Sequence, residues 1–175
     1  ALTYYPSDMM VPKRTRSIIQ NVVNNLSTPH EYIDGDISEI VKGALEGRYH
    51  PCGRCHKHME EVIIEATKKR GIYAIAFGDL LPTGSQTISI KNGMIRINLP
   101  SLLALKKKDM KYISARIEGY ESPGFGCPLL KEVHRLHPSK KFFTAHRVLR
   151  EVRAGILESN EGLISLRSIF RFERD

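Results

Sequence analysis

Short apolar runs alternate with amphipathic helical stretches from the first residues onward, and that alternation constrains the fold more than any single motif. Ala1-Leu2-Thr3-Tyr4-Tyr5 reads as a strand closed by the turn residues Pro6-Ser7-Asp8. Ile18, Ile19, Val22, Val23 and Leu26 then recur at helical spacing, and a second strand follows at Glu31-Tyr32-Ile33. Asp36 and Glu39 are spaced to open the next helix as a capping box. His58 to Arg70 carries Met59, Val62, Ile63 and Ala66 on one face and stops at Gly71. The continuous apolar run Ile72 to Phe77 suits a central parallel strand buried on both faces. Thr87 to Ile90 and Met94 to Ile97 flank Lys91-Asn92-Gly93, which favours a tight hairpin turn. Together these signals predict an α/β fold, a three-layer sandwich on a mostly parallel central sheet.

Toward the C-terminus, Pro128 is placed to start a helix through Val133 and Leu136. Val148, Leu149, Val152, Ile156 and Leu157 predict a basic amphipathic helix over 144–157. The expected organisation is therefore an α/β domain over 1–128 and a basic, mainly helical extension of the same domain over 129–175. Seven basic residues face two acidic ones between Lys131 and Arg153, in a chain whose net charge is +8. Clustered positive charge is the footprint of a polyanion partner, because neutralised phosphates release counterions. The plainer reading is a solvated helix face. Lys140, Lys141, Arg147, Arg150 and Arg153 are the candidate RNA contacts, the arginines falling three apart so that they share a face. No apolar stretch reaches the length of a membrane span, and the expected location is the cytoplasm.

The chain has three cysteines. Cys52 and Cys55 stand in a Cys-Gly-Arg-Cys step between His50-Pro51 and His56, and Cys127 stands in Gly126-Cys127-Pro128. An odd count with a CxxC step points to a reducing compartment and a metal or redox site. Three thiolates can hold an iron–sulfur cluster with one open position. Zinc is the alternative, its tetrahedral set completed by His56 or His58. Metal-free chemistry is another, with Cys127 carrying a persulfide that a CxxC thiol resolves. The plainest reading is three small buried side chains. His50 and His56 otherwise read as flanking polar residues, and His134, His137 and His146 as part of the basic surface.

The succession His50-Pro51-Cys52-Gly53-Arg54-Cys55, Gly78-Asp79, Gly84-Ser85-Gln86-Thr87, Arg96-Ile97-Asn98-Leu99-Pro100, Lys108-Asp109 and Gly126-Cys127-Pro128 resembles the PP-loop ATP pyrophosphatase family. More narrowly it is similar to the tRNA thiolases that set a CxxC step and one distant cysteine around an iron–sulfur cluster. The likeness runs from Ala1 to about Pro128. It implies ATP with Mg2+, a 4Fe-4S cluster on Cys52, Cys55 and Cys127, and tRNA as partner, with a homodimer also open. It further implies that Thr3 and Tyr4 end a strand beside the adenine and that Gly78, Asp79 and Thr87 lie near the nucleotide, with Lys108 and Asp109 as further candidates. For that last pair the competing reading is a solvated helix start with its acid near the N-terminal dipole.

The family's Ser-Gly-Gly-x-Asp-Ser phosphate loop has no counterpart in this sequence, and Pro82-Thr83-Gly84-Ser85 lacks its pattern. A start at a strand without methionine leads us to expect that segment upstream of Ala1. Where many relatives show Gly-His-Asn-x-x-Asp-Asp, this chain has Gly78-Asp79-Leu80. The activity implied is ATP-dependent sulfur insertion into a tRNA base. Alternatives are a PP-loop sulfurtransferase or amidating enzyme acting on a small molecule, and a zinc-stabilised, non-catalytic RNA-binding module.

Overall fold

The computed structural model of the chain describes residues 1–8, 10–79, 87–121 and 126–170. Leu80 and the stretch Pro82 to Gln86, both weighed above, lie outside these described residues. The elements run β1 (Leu2–Tyr5), α1 (Lys13–Asn25), β2 (Glu31–Asp34), α2 (Ser38–Leu45), α3 (Pro51–Lys69), β3 (Ala74–Phe77), β4 (Ile88–Lys91) and β5 (Met94–Asn98). They continue with α4 (Leu99–Leu102), α5 (Lys107–Ser114), α6 (Pro128–Leu136), α7 (Lys140–Arg153) and α8 (Ser159–Phe170). They fall into two compact units, Ala1–Gly71 with Ile113–Pro138, and Ile72–Tyr112 with Ser139–Asp175.

In the first unit, β1 and β2 pair in parallel from Leu2↔Glu31 to Tyr5↔Asp34, with α1 as the crossover. Helix α2 starts at Ser38, and Asp36 accepts hydrogen bonds from the Ser38 N–H (2.8 Å) and hydroxyl (2.5 Å). The carboxylate thus caps by a local turn, one residue ahead of the N-cap position that Ile37 occupies. Ala44, Leu129 and Val133 are fully buried where α2 meets α6, and Val41, Leu45, Tyr49, Cys55 and Cys127 pack around them. Helix α3 also packs on α6.

In the second unit the sheet order is β3-β5-β4, with β3 parallel and β4 antiparallel to β5. Asn92 (φ 51°) and Gly93 (φ 73°) both take left-handed conformations, the pair of positive φ angles that a two-residue hairpin of this twist requires. Met94 and Asn98 are buried on β5, and the Asn98 side chain accepts from the Ser101 N–H to cap α4. Helices α7 and α8 pack together through Val148, Leu157 and Gly162.

The expected three-layer sandwich on one mostly parallel central sheet is not what forms. The described strands make a two-stranded parallel sheet and a three-stranded mixed sheet. The reason is that apolar composition marks a strand without fixing how many partners pair with it. The run at Ile72 to Phe77, expected at a sheet centre, supplies the edge strand β3, where Ala74 and Ala76 are exposed and Tyr73 is 68% exposed. Of the stretch after Leu129, residues up to Pro138 group with the first unit and the rest with the second. No helix among the described residues is long and apolar enough to cross a membrane.

Candidate functional site

The three cysteines all belong to the first unit, and two helix starts present them. Pro51 opens α3, so the CxxC step forms the first turn of a helix instead of a loop before one. Spacing of three residues then places Cys52 and Cys55 on neighbouring positions of one face. Pro128 opens α6 in the same way, and Cys127 is its N-cap, with extended backbone (φ −78°, ψ 164°). The Cys127 Sγ accepts the Leu130 N–H at 3.4 Å, doing for this helix what a serine or aspartate oxygen usually does.

Cys55 and Cys127 both pack against the buried Ala44, Leu129 and Val133. Burial, first, and then the charges of Cys52 and Cys127 push the Cys55 thiol up to about 11 from its ordinary 9.0. Two effects oppose each other here. The positive ends of α3 and α6 favour thiolates, while burial and mutual repulsion favour thiols, and at Cys55 the second pair wins. A bound cation removes the repulsion and leaves the helix dipoles as net support. Sulfur donors at helix N-termini are the donor type that thiolate-bound metals and iron–sulfur clusters take.

Tyr4, at the end of β1, belongs to this locus. Its phenol is pushed up to about 12 by burial, by Cys55 and by Asp36, in that order. The Tyr4 ring meets His58 edge-on at 5.7 Å between centroids. Gly35 lies so close to it that a Cβ there would fall 2.3 Å from Tyr4 Cε2. The Tyr4 hydroxyl and His58 Nε2 are both buried atoms without a hydrogen-bond partner among the described residues. The Asp36 carboxyl is held below its usual range by Ser38's hydrogen bonds, with a further contribution from His58. An open groove of about 610 Å³, lined by Pro6, Ser7, Asp36, Ile37 and Val41 among others, flanks this corner. His56 pairs through Nδ1 with Glu60 at 3.3 Å. His137 Nε2 lies 2.8 Å from the Leu45 carbonyl, a structural bond that reading His137 as basic surface did not anticipate.

The expected nucleotide residues are divided between the units. Thr3, whose hydroxyl lies 2.9 Å from His30 Nε2, and Tyr4 are in the first. Gly78 and Asp79 follow β3, and the Thr87 carbonyl accepts the Asn98 N–H at 2.8 Å, so these three gather at one end of the three-stranded sheet. Lys108 lies 3.7 Å from Glu158, and Asp109 accepts the Lys106 N–H at 2.8 Å, the contacts of a capped helix start. Of the expected RNA contacts, all on α7, Arg150 and Arg153 are exposed, while Arg147 reaches toward Glu151 at 3.6 Å and Lys140 sits 5.6 Å over the Phe143 ring. Sequence reasoning missed the company of Tyr4, Asp36 and His58. Only the adjacency of the first two strands, which brings position 4 next to the loop after β2, carried any signal of it.

No known protein-family profile matches the chain, and no solved structure matches it. The chain is similar to an uncharacterized protein of Methanocaldococcus jannaschii, 36% identical over 157 residues that make up 89% of this chain. It spans 60% of that relative's length.

Proposed function

We propose that this protein is a cytoplasmic sulfur-transfer enzyme that thiolates a base of tRNA, with Cys52, Cys55 and Cys127 holding a 4Fe-4S cluster. The observation that carries the reading is the placement of the three cysteines at two helix N-termini of one unit, with Cys55 and Cys127 against the same buried core. Three thiolates leave one cluster iron without a protein ligand, and such a position supplies the holding and delivery of a sulfur atom. The chain's own residues account for the rest of the centre. The backbone dipoles of α3 and α6 offset the thiolate charge, and the Leu130 N–H fixes the Cys127 sulfur. The unpartnered Tyr4 hydroxyl and His58 Nε2 offer hydrogen bonds to a polar acceptor beside Cys55, and the groove at Asp36 gives it room.

The reading keeps the chemistry of the tRNA thiolases and not their sheet. ATP adenylates a carbonyl oxygen of the base with loss of pyrophosphate, and sulfide then displaces AMP at the same carbon. Gly78, Asp79 and Thr87 are the residues assigned to the nucleotide, and the basic face of α7 to the RNA. Anaerobic purification with iron, sulfide and zinc quantified, followed by incubation with tRNA, ATP, Mg2+ and sulfide and mass spectrometry of the nucleosides, tests both halves. We expect about four iron and four sulfide per chain and an ATP-dependent thiolated nucleoside. Stoichiometric zinc without iron or sulfide overturns the cluster. A loaded cluster with no thiolated nucleoside overturns the reaction.

A further inference from the structure

Helix α7 has a buried side and an open one. Thr144, Ala145 and Val148 are buried, and a turn of roughly 100° per residue centres that side on Val148. Leu149, Phe142, Arg153, His146, Arg150 and Phe143 follow one another around the opposite arc of about 120°, and all six are exposed. Phe142 and Phe143 are 68% and 61% exposed, unusual for residues that large and apolar. The Phe142 ring meets Phe170 at 5.6 Å between centroids, and the Lys140 ammonium lies 5.6 Å from the centre of the Phe143 ring. The open face thus interleaves aromatic rings with cations.

We infer that this face binds an unpaired stretch of RNA, with Phe142 and Phe143 stacking on bases and Arg150 and Arg153 meeting phosphates. A duplex supplies phosphates but hides the faces of its bases. An acidic protein answers the charge and leaves two planar rings without planar partners. An unpaired strand answers both, since every base has a π-face and every linkage a charge. The inference rests on the proposed RNA substrate and narrows it to a loop or a single-stranded end.

Fluorescence anisotropy of the purified protein with a labelled unpaired 12-nucleotide RNA and with a 12-base-pair duplex, across a salt series, tests it. Phe142→Ala and Phe143→Ala each lower affinity for the unpaired RNA by about 5- to 150-fold and leave duplex affinity unchanged. Phe142→Tyr and Phe143→Tyr, which keep a stacking ring, retain wild-type binding. Arg150→Glu with Arg153→Glu weakens both RNAs and flattens the salt dependence. Circular dichroism confirms that each variant keeps its helices.

If the alanine variants bind unpaired RNA like wild type while the arginine variants do not, stacking is wrong and the RNA substrate stands. If wild type binds neither RNA, the tRNA reading falls with it. A change of oligomeric state in the alanine variants without loss of RNA affinity overturns the inference in favour of contact between copies.

Discussion

The two units of this molecule each bury an apolar core, and they differ in what they leave open. The first buries Ala44, Leu129 and Val133 completely and sets two of its three cysteines against that core, so its reactive groups are held in place by packing. The second leaves Ile90 76% exposed, together with Tyr73, Ile88, Phe142 and Phe143. A sulfur centre needs fixed geometry and low water access, because thiolates hold a metal only at set distances. A surface that meets a flexible polymer needs open rings and charges. On the proposed reading, chemistry and recognition are separately built, each on its own local packing.

The sharpest way to break that contrast is to remove one sulfur. Cys55→Ser, Cys52→Ser or Cys127→Ser should abolish metal loading, read as iron and sulfide content. Amide exchange should loosen in the first unit and stay unchanged in the second. A smaller but still large effect is expected from Leu129→Ala, which empties a fully buried position and should cost about 2–5 kcal/mol in denaturant unfolding. In the second unit, Gly162→Ala sets a Cβ 2.5 Å from Val152 Cγ2 and should cost about 1–3 kcal/mol, loosening α7 against α8 without changing metal content.

The pH response sharpens the comparison further. Cys55's folded value is raised above its ordinary one, so the stability it lends the metal-free protein is complete below pH 9 and is lost as pH climbs through 11. Thermal melts of the metal-free protein should fall across that window, and alkylation of Cys55 at pH 8 should lag that of a free thiol. The smallest effect is expected of Tyr4→Phe, which removes a buried hydroxyl without a partner and should stabilise the metal-free chain by up to about 1 kcal/mol. A loss of stability there would mean that the hydroxyl is satisfied after all.

Local chemistry made much of the chain legible before any coordinates. Asn92-Gly93 announced its hairpin because few other pairs accept two positive φ angles, and Pro128 announced the start of α6. What failed was pairing at a distance. Nothing in Ile72 to Phe77 records that, among the described strands, β5 alone lies beside it, so an edge strand read as a central one. Glycine and arginine inside the CxxC step hid its helical nature, although Pro51 was the signal that a helix begins there. At the candidate centre the sulfur donors were readable by type. Their placement at two helix starts, and the Tyr4, Asp36 and His58 neighbours, depend on how β1, α3 and α6 pack.

Cys127 holds a double post: its sulfur is both a proposed ligand and the acceptor that caps the start of α6. Whatever happens to that atom, be it oxidation, alkylation or loss of a bound metal, reaches Leu129 and Leu130 within one turn of helix and Val133 within two. Damage to the centre and damage to the core are then one event, and a chain whose chemistry has failed is also the chain whose core most readily opens to a protease.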